Sequence, residues 1–223
     1  MDYGFIDAYI PLYVEAAGLT IRIAAYGIAG AFAVGIFCCL IKELKIPVFR
    51  HLVQVYIELS RNTPLLIQLF FLYFGLPKIG IVLSSEACGM IGLIFLGGSY
   101  MAEGFRTGID SVPQIQRESA YSLGMTQKQT FWKIIMPQAV ATSVPVFCAN
   151  IIFLIKETSV FSAVALADLM YVTKDLIGLY YKTDEALWML VISYLIILLP
   201  ISLVSSWIER RVRYAGFGDT GSV

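Results

Sequence analysis

Residues 117–139 read RESAYSLGMTQKQTFWKIIMPQA. They interrupt a chain of 223 residues that is 58% hydrophobic and only 14% charged, with a mean hydropathy of +0.77. A water-soluble domain carries roughly 25% charged residues. Most of this chain's surface is therefore not built to face water, and the polar stretch needs a reason to exist.

Outward from that stretch the sequence is apolar. A membrane-crossing helix needs roughly 20 mostly apolar residues. Five segments qualify: Leu12 to Ile41, Pro64 to Val82, Ala87 to Phe105, Ala139 to Ile155 and Ala186 to Ile208, with the second interrupted near Pro77. The fold class expected is all-α and membrane-embedded, about five transmembrane helices in one domain spanning residues 1–223. The polar segment, about 111–137, becomes its cytoplasmic loop between spans three and four. Asp2 and Asp7 stand where a signal peptide would carry basic residues, so the first span is expected to be retained.

Charge gives an orientation. With the N-terminus outside, the cytoplasmic stretches hold Lys42, Lys45, Arg50 and Arg61, then Arg106, Arg117, Lys128 and Lys133, then Arg210, Arg211 and Arg213. That is eleven of the sixteen Lys and Arg. The positive-inside rule then predicts N-out and C-in. The basic residues orient the chain in lipid, and nucleic acid is not expected as a partner. Cys38, Cys39, Cys88 and Cys148 lie in apolar runs without metal-ligand spacing, so they are expected to act as small hydrophobes and no metal is expected.

Local patterns fill in the frame. Gly27, Gly30, Ala31, Val34 and Gly35 share a side of the first span, where small residues let helices approach closely. Arg22 is read as reaching back to the outer interface. Residues 44–60 are expected to form an interfacial helix with Val48, Leu52, Val55 and Leu59 on one face. Thr63 is expected to cap the next helix, with Pro64 at its first position. Gln68 and Tyr73 are polar handles inside that span.

In the polar segment, Ser111 to Gln114 and Thr126 to Gln129 both have capping-box spacing. Two short helices follow, one ending at Gly124, whose type tolerates left-handed geometry, and one running to Ile135 before Pro137. Phe131, Trp132, Ile134 and Ile135 are expected to anchor the second helix to the bundle. His51 is the only histidine, so a catalytic His pair is excluded. Neither HExxH nor GxSxG occurs, and without GxxxxGK[ST] the chain cannot cradle ATP itself. It is not expected to be an enzyme or to bind a cofactor.

Glu118-Ser119-Ala120, three residues, Gly124, nine residues and Ile134-Ile-Met-Pro137 resemble the EAA loop of type I ABC importer permeases. Ser119 replaces a second alanine of that pattern and Met136 a usual leucine. RNTPLLIQLFFLYFG (61–75) and LIKETSVFSAVALADL (154–169) resemble segments of the polar amino acid uptake branch. Together the resemblance covers residues 15 to 212. It implies that Glu118, Ser119, Ala120 and Gly124 dock on a separate ATP-hydrolysing subunit, which alone uses ATP. It also implies a second permease subunit, identical or related, an extracytoplasmic amino-acid-binding protein, and a multi-pass place in the bacterial cytoplasmic (inner) membrane. The substrate path it implies includes Arg61, Gln68, Asn150, Lys156, Glu157, Thr158 and Ser159, with Asn150 at a position that varies with substrate. A neutral amide there suits a polar or zwitterionic cargo more than a guanidinium. The rival readings are a secondary transporter, which the lack of a paired internal repeat with matching broken helices counts against, and an ABC permease for another solute such as methionine or an osmolyte.

Overall fold

The computed structural model describes residues 1–43 and 47–212. Lys45 and Arg213, counted above for orientation, and the first three residues of the 44–60 helix lie outside the described residues. All regular structure among the described residues is helical. Four helices are long and apolar enough to cross a membrane: Tyr3–Lys42, Ser85–Asp110, Gln127–Val164 and Thr183–Val212. The stretch Leu65–Ile79, which covers most of the remaining expected span, is apolar but shorter.

Helix α1 (Tyr3–Glu43) is 41 residues long. At about 1.5 Å per residue it exceeds the hydrocarbon thickness about twofold. Its small residues meet α4 (Ser85–Asp110), as the spacing predicts. A Cβ on Gly27 would sit 2.7 Å from the Leu93 Cβ, and one on Gly35 would sit 2.6 Å from the Met101 Cβ. Glycine here supplies the close approach that dispersion between helices needs in lipid. Ser84 caps α4 by accepting from the Ala87 N–H at 3.2 Å. The same helix carries Gly97, whose missing side chain makes room for Ala31 and Leu154. Leu93, Met101, Leu154 and Phe161 are fully buried around it, so α4 is the axle of the bundle.

Helix α2 (Pro47–Arg61) keeps the expected apolar face together but does not pack on the bundle through it. Its packed face is Val53, Ile57 and Ser60, while Val48, Leu52, Val55 and Leu59 point away from the bundle. The reason is hydrogen bonding: Tyr56 and Ser60 donate to the Phe95 carbonyl of α4 at 2.7 and 2.9 Å, which turns that side inward. Nor does Thr63 cap the next helix. Its hydroxyl donates back to the Leu59 carbonyl at 2.8 Å, and Pro64 occupies the cap position of α3 (Leu65–Phe70). A π turn (Phe71–Gly75) and a 3-10 turn (Leu76–Ile79) continue it to Gly80, which has φ +86°.

After α4 come α5 (Gln114–Ser122) and α6 (Gln127–Thr130). A π turn (Phe131–Ile135) then leads directly into α7 (Met136–Glu157). The expected stop before Pro137 is absent. The widened turn ends just ahead of the proline, whose missing N–H and ring would otherwise break the ladder. A 3-10 segment (Thr158–Val164) follows, then α8 (Leu169–Tyr180), capped by Asp168 through the Tyr171 N–H at 2.9 Å. Helix α9 (Thr183–Val212) closes the bundle.

The N-terminus is clasped to α8 and α9. Tyr13 bonds Thr173 and the Ala186 carbonyl, each at 2.9 Å, and the Asp2 N–H donates to Glu185 at 2.8 Å. Lys182 donates to Asp2 at 3.0 Å and holds that carboxyl below the usual carboxylate range. Arg22 is not solitary; it pairs with Glu86 at 2.9 Å on the exposed surface.

Overpacking a filled interface costs about 1–3 kcal/mol. Gly35→Val is therefore expected to lower the melting temperature of the detergent-purified protein. Gly18→Val, where a Cβ has nothing within 4 Å, is expected to leave it unchanged. Equal melting temperatures for the two variants would contradict the α1–α4 packing.

Candidate functional site

Two regions gather the polar residues that an apolar bundle would otherwise reject. The first is the projecting loop. Ser111 does not form a capping box: it ends α4, and its hydroxyl donates to the Gly108 carbonyl at 2.6 Å and lies 2.9 Å from the Thr142 hydroxyl. Pro113 takes the cap position of α5 without a side-chain bond. The second box forms as the spacing predicts. Gln129 N–H donates to the Thr126 hydroxyl at 3.3 Å, and Thr126 N–H donates to the Gln129 side chain at 2.9 Å.

Between these helices the chain turns at Gly124, φ +79°. The Met125 N–H reaches the Ala120 carbonyl at 3.1 Å, and the Gly124 N–H reaches the Tyr121 carbonyl at 2.9 Å. This pair of bonds is the Schellman closure of a helix, which requires the left-handed residue glycine provides. Ala120 is buried, while Glu118, Ser119 and Gly124 are exposed. The Glu118 carboxylate accepts from Gln114 at 2.9 Å, and Gln138 donates to Gln116 at 3.2 Å, tying α5 to the base of α7. Ile135 is buried and Phe131 packs beside it, but Trp132 is 52% exposed and meets Phe131 edge to face. Sequence reasoning missed the apolar side chains left outside: Ile115, Tyr121 and above all Leu123, 82% exposed. Their spacing beside Gly124 is the signal that could have found them.

The second region lies at the end of α4 and along α2 and α7. Asn150, which is half-buried, donates its amide to the Tyr100 carbonyl at 3.2 Å. The Arg61 guanidinium lies 5.3 Å over the Tyr100 ring. Arg61 also pairs with Glu103 at 3.6 Å, where Lys42 at 3.5 Å and Arg106 at 2.6 Å converge as well. Lys42, Arg61, Glu103 and Arg106 wall a groove of about 450 Å³ whose lining also includes Arg50, Gln54, Glu58 and Asp110. The arrangement can hold an anion, or a molecule carrying both charges, against several fixed ionic side chains.

The remaining site residues sit elsewhere. Gln68 is buried and donates to the Ser60 and Thr63 carbonyls at 3.1 and 2.9 Å, bridging the break between α2 and α3. Thr158 is buried, its hydroxyl donated to the Ile155 carbonyl at 2.7 Å. Lys156 is exposed, and Glu157 and Ser159 are half-buried at the same end of α7. Arg61 thus meets the ring of Tyr100 and Asn150 its backbone carbonyl, while Gln68 and Thr158 turn to local backbone. Glu103 and Tyr100 were missed; a carboxylate with Arg106 and Asp110 at the end of an apolar span was the available clue.

Residues 17–214 match the family described as binding-protein-dependent transport system inner membrane component. The chain is 29% identical to the probable amino-acid ABC transporter permease PatM of Vibrio harveyi, covering 96% of this chain and 97% of that protein. It is 32% identical to the probable amino-acid permease YxeN of Bacillus subtilis, covering 88% and 92%. The glutamine transport system permease GlnP of Escherichia coli is 28% identical, covering 95% and 98%. A crystal structure of an amino acid ABC transporter with histidines superposes with a TM-score of 0.90 at 29% identity, covering 95% of this chain and 99% of that one. The MetNI methionine ABC transporter, inward facing, shares the fold at 18% identity, with a TM-score of 0.73 over 92% and 98% of the two chains.

The Asn150 bond ties α7 to α4. A typical hydrogen bond contributes about 0.5–1.5 kcal/mol net. Asn150→Leu, of similar volume, is expected to lower the melting temperature of the purified protein. An unchanged melting temperature would show that the amide contributes nothing to that contact.

Proposed function

The chain belongs to the binding-protein-dependent transport system inner membrane component family, and we propose on that premise that it carries a polar amino acid inward by alternating access. It is a multi-pass membrane permease subunit of an ABC importer. The amino acid cargo is supported by relatives whose names specify amino acids or glutamine. In this reading the protein lies in the bacterial inner membrane, N-terminus outside and C-terminus inside. It pairs with a second permease subunit and receives cargo from an extracytoplasmic binding protein.

ATP is hydrolysed by a separate subunit, since the chain has no phosphate loop. That subunit docks on α5 and its turn. The observation that carries this assignment is the projecting, rigidly closed helix end at Gly124, with Leu123, Tyr121 and Ile115 exposed beside Glu118 and Ser119. Apolar side chains held out by a bonded turn suit a protein groove better than open water. Movement of the ATPase subunits is passed through α5 to α4 and α7, to which the loop is bonded at both ends.

The substrate path is bordered by Arg61, Asn150, Lys156, Glu157 and Ser159. Gln68 and Thr158 act from behind it by fixing the helix ends on which those residues stand. Asn150 keeps its amide oxygen for the cargo while its N–H holds α4.

A side chain at Gly124 would meet nothing within 4 Å, so Gly124→Val acts through its backbone alone. A β-branched residue resists φ +79°. The variant is expected to reach the membrane yet retain several-fold less ATPase subunit in an affinity pull-down from co-expressing cells. Leu123→Asp, which leaves the turn intact, is expected to do the same. Wild-type recovery of the ATPase subunit by both variants would reject this docking surface.

A further inference from the structure

Glu103 holds more cations than one carboxylate needs. Its side chain is 16% exposed, and Lys42 of α1, Arg61 of α2 and Arg106 of α4 all converge on it. The three contacts are unequal. Arg106 grips both oxygens, with Nε at 3.1 Å from each and Nη2 at 2.6 Å from one. Lys42 stands at 3.5 Å with a side chain as enclosed as that of Glu103. Arg61 is the farthest, at 3.6 Å, and its side chain is 43% exposed. If Arg61 leaves, the carboxylate keeps two cations and its charge-assisted bonds. The usual penalty for stripping one partner from a shielded ion pair is therefore largely avoided.

Arg61 is also prepared for a second partner. The Tyr100 ring face lies 5.3 Å from its guanidinium carbon. Contact with a ring face attracts the cation without consuming the planar fork of N–H donors. That fork matches a carboxylate in two-point geometry. Arg61 closes α2 at the break before α3, on the wall of the 450 Å³ groove, and the same Tyr100 supplies the carbonyl that Asn150 holds. Arg61 and Asn150 are thus both tied to Tyr100, one at its ring and one at its carbonyl.

We propose that Arg61 recognises the α-carboxylate of the cargo, and that Glu103 stands in for that carboxylate while the path is empty. The proposal rests on the amino acid reading above. Binding is then an exchange of one carboxylate for another on Arg61, with Arg106 and Lys42 keeping Glu103 neutralised. Solutes without a free carboxylate cannot make the exchange. The selectivity this adds is for the shared backbone of amino acids, whereas Asn150 faces what distinguishes one from another.

The test uses the whole transporter, with its ATPase subunits, in lipid nanodiscs and without binding protein. Isothermal titration calorimetry first identifies which of the twenty amino acids binds most tightly, then compares it with its α-carboxamide. In the wild type the carboxamide is expected to bind about tenfold or more weakly, the loss of one charge-assisted bond. Arg61→Gln is expected to weaken the amino acid by a similar factor and to erase the difference between the two ligands. Arg61→Lys, which keeps the charge and loses the fork, is expected to fall between. Glu103→Gln is expected to act in the opposite direction, tightening the amino acid severalfold because its internal competitor is gone. A mere brace between helices would give the two glutamine variants the same effect, lower melting temperatures with the wild-type ratio of the two ligands, and that result overturns the proposal. So does an unchanged ratio in Arg61→Lys, should Arg61→Gln fail to assemble. If amino acids bind but the wild type does not distinguish the carboxamide, this proposal fails and the cargo reading stands. If no amino acid binds, the cargo reading fails and takes the proposal with it.

Discussion

In hydrocarbon, a backbone N–H or C=O that loses its helical partner has no water to replace it. That constraint accounts for where this chain is regular and where each departure is repaired. The break at residues 61–64 leaves carbonyls at the end of α2, and the buried Gln68 amide donates to two of them. The proline at 137 removes a donor, and the π turn ahead of it lets the helix continue. Ser60 and Tyr56 are satisfied by one carbonyl of α4, which decides how α2 is rotated. The long polar excursion at 111–130 keeps its helix ends closed by its own bonds, namely the Schellman turn and the Thr126 box.

The axle role of α4 follows from the same economy. Its glycines admit α1 and α7 to near-backbone distance, so packing replaces the hydrophobic drive that lipid cannot supply between helices. Glu103 can then be reached by α1 and α2 at once, because both are pressed against the same helix. Glu103 and Arg106, near the end of α4, are followed directly in the chain by the docking helix α5. Motion imposed on the loop is therefore imposed near Glu103, which connects energy input to the residues proposed to hold cargo.

Much of this was legible in the sequence because it depends on local rules. Hydrophobic length located the long helices, small-residue spacing located the face of α1, and Gly124 and Thr126 behaved as their chemistry requires. The misreadings share a form: a local rule lost to a competing partner or turn. Ser111 had the spacing of a cap, but Thr142 and the Gly108 carbonyl take its hydroxyl. The packed face of α2, Val53, Ile57 and Ser60, was not read from the sequence, since the Phe95 carbonyl that marks it is distant in the chain. Trp132 looked like an anchor, yet the π turn rotates it outward while Ile135 goes in. The cluster at Glu103 was hardest to see, since its cations come from residues 42, 61 and 106 and only the last is near in sequence.

The account's central claim is that this chain moves an amino acid by borrowing the motion of an ATPase through its polar loop. The most direct measurement is uptake of a radiolabelled amino acid into proteoliposomes holding the complex and supplied with its binding protein. Uptake is expected to require ATP on the side of the ATPase subunits and to persist when ionophores collapse every ion gradient. Uptake that proceeds without ATP and stops with the ionophores would contradict the account and identify a secondary transporter instead.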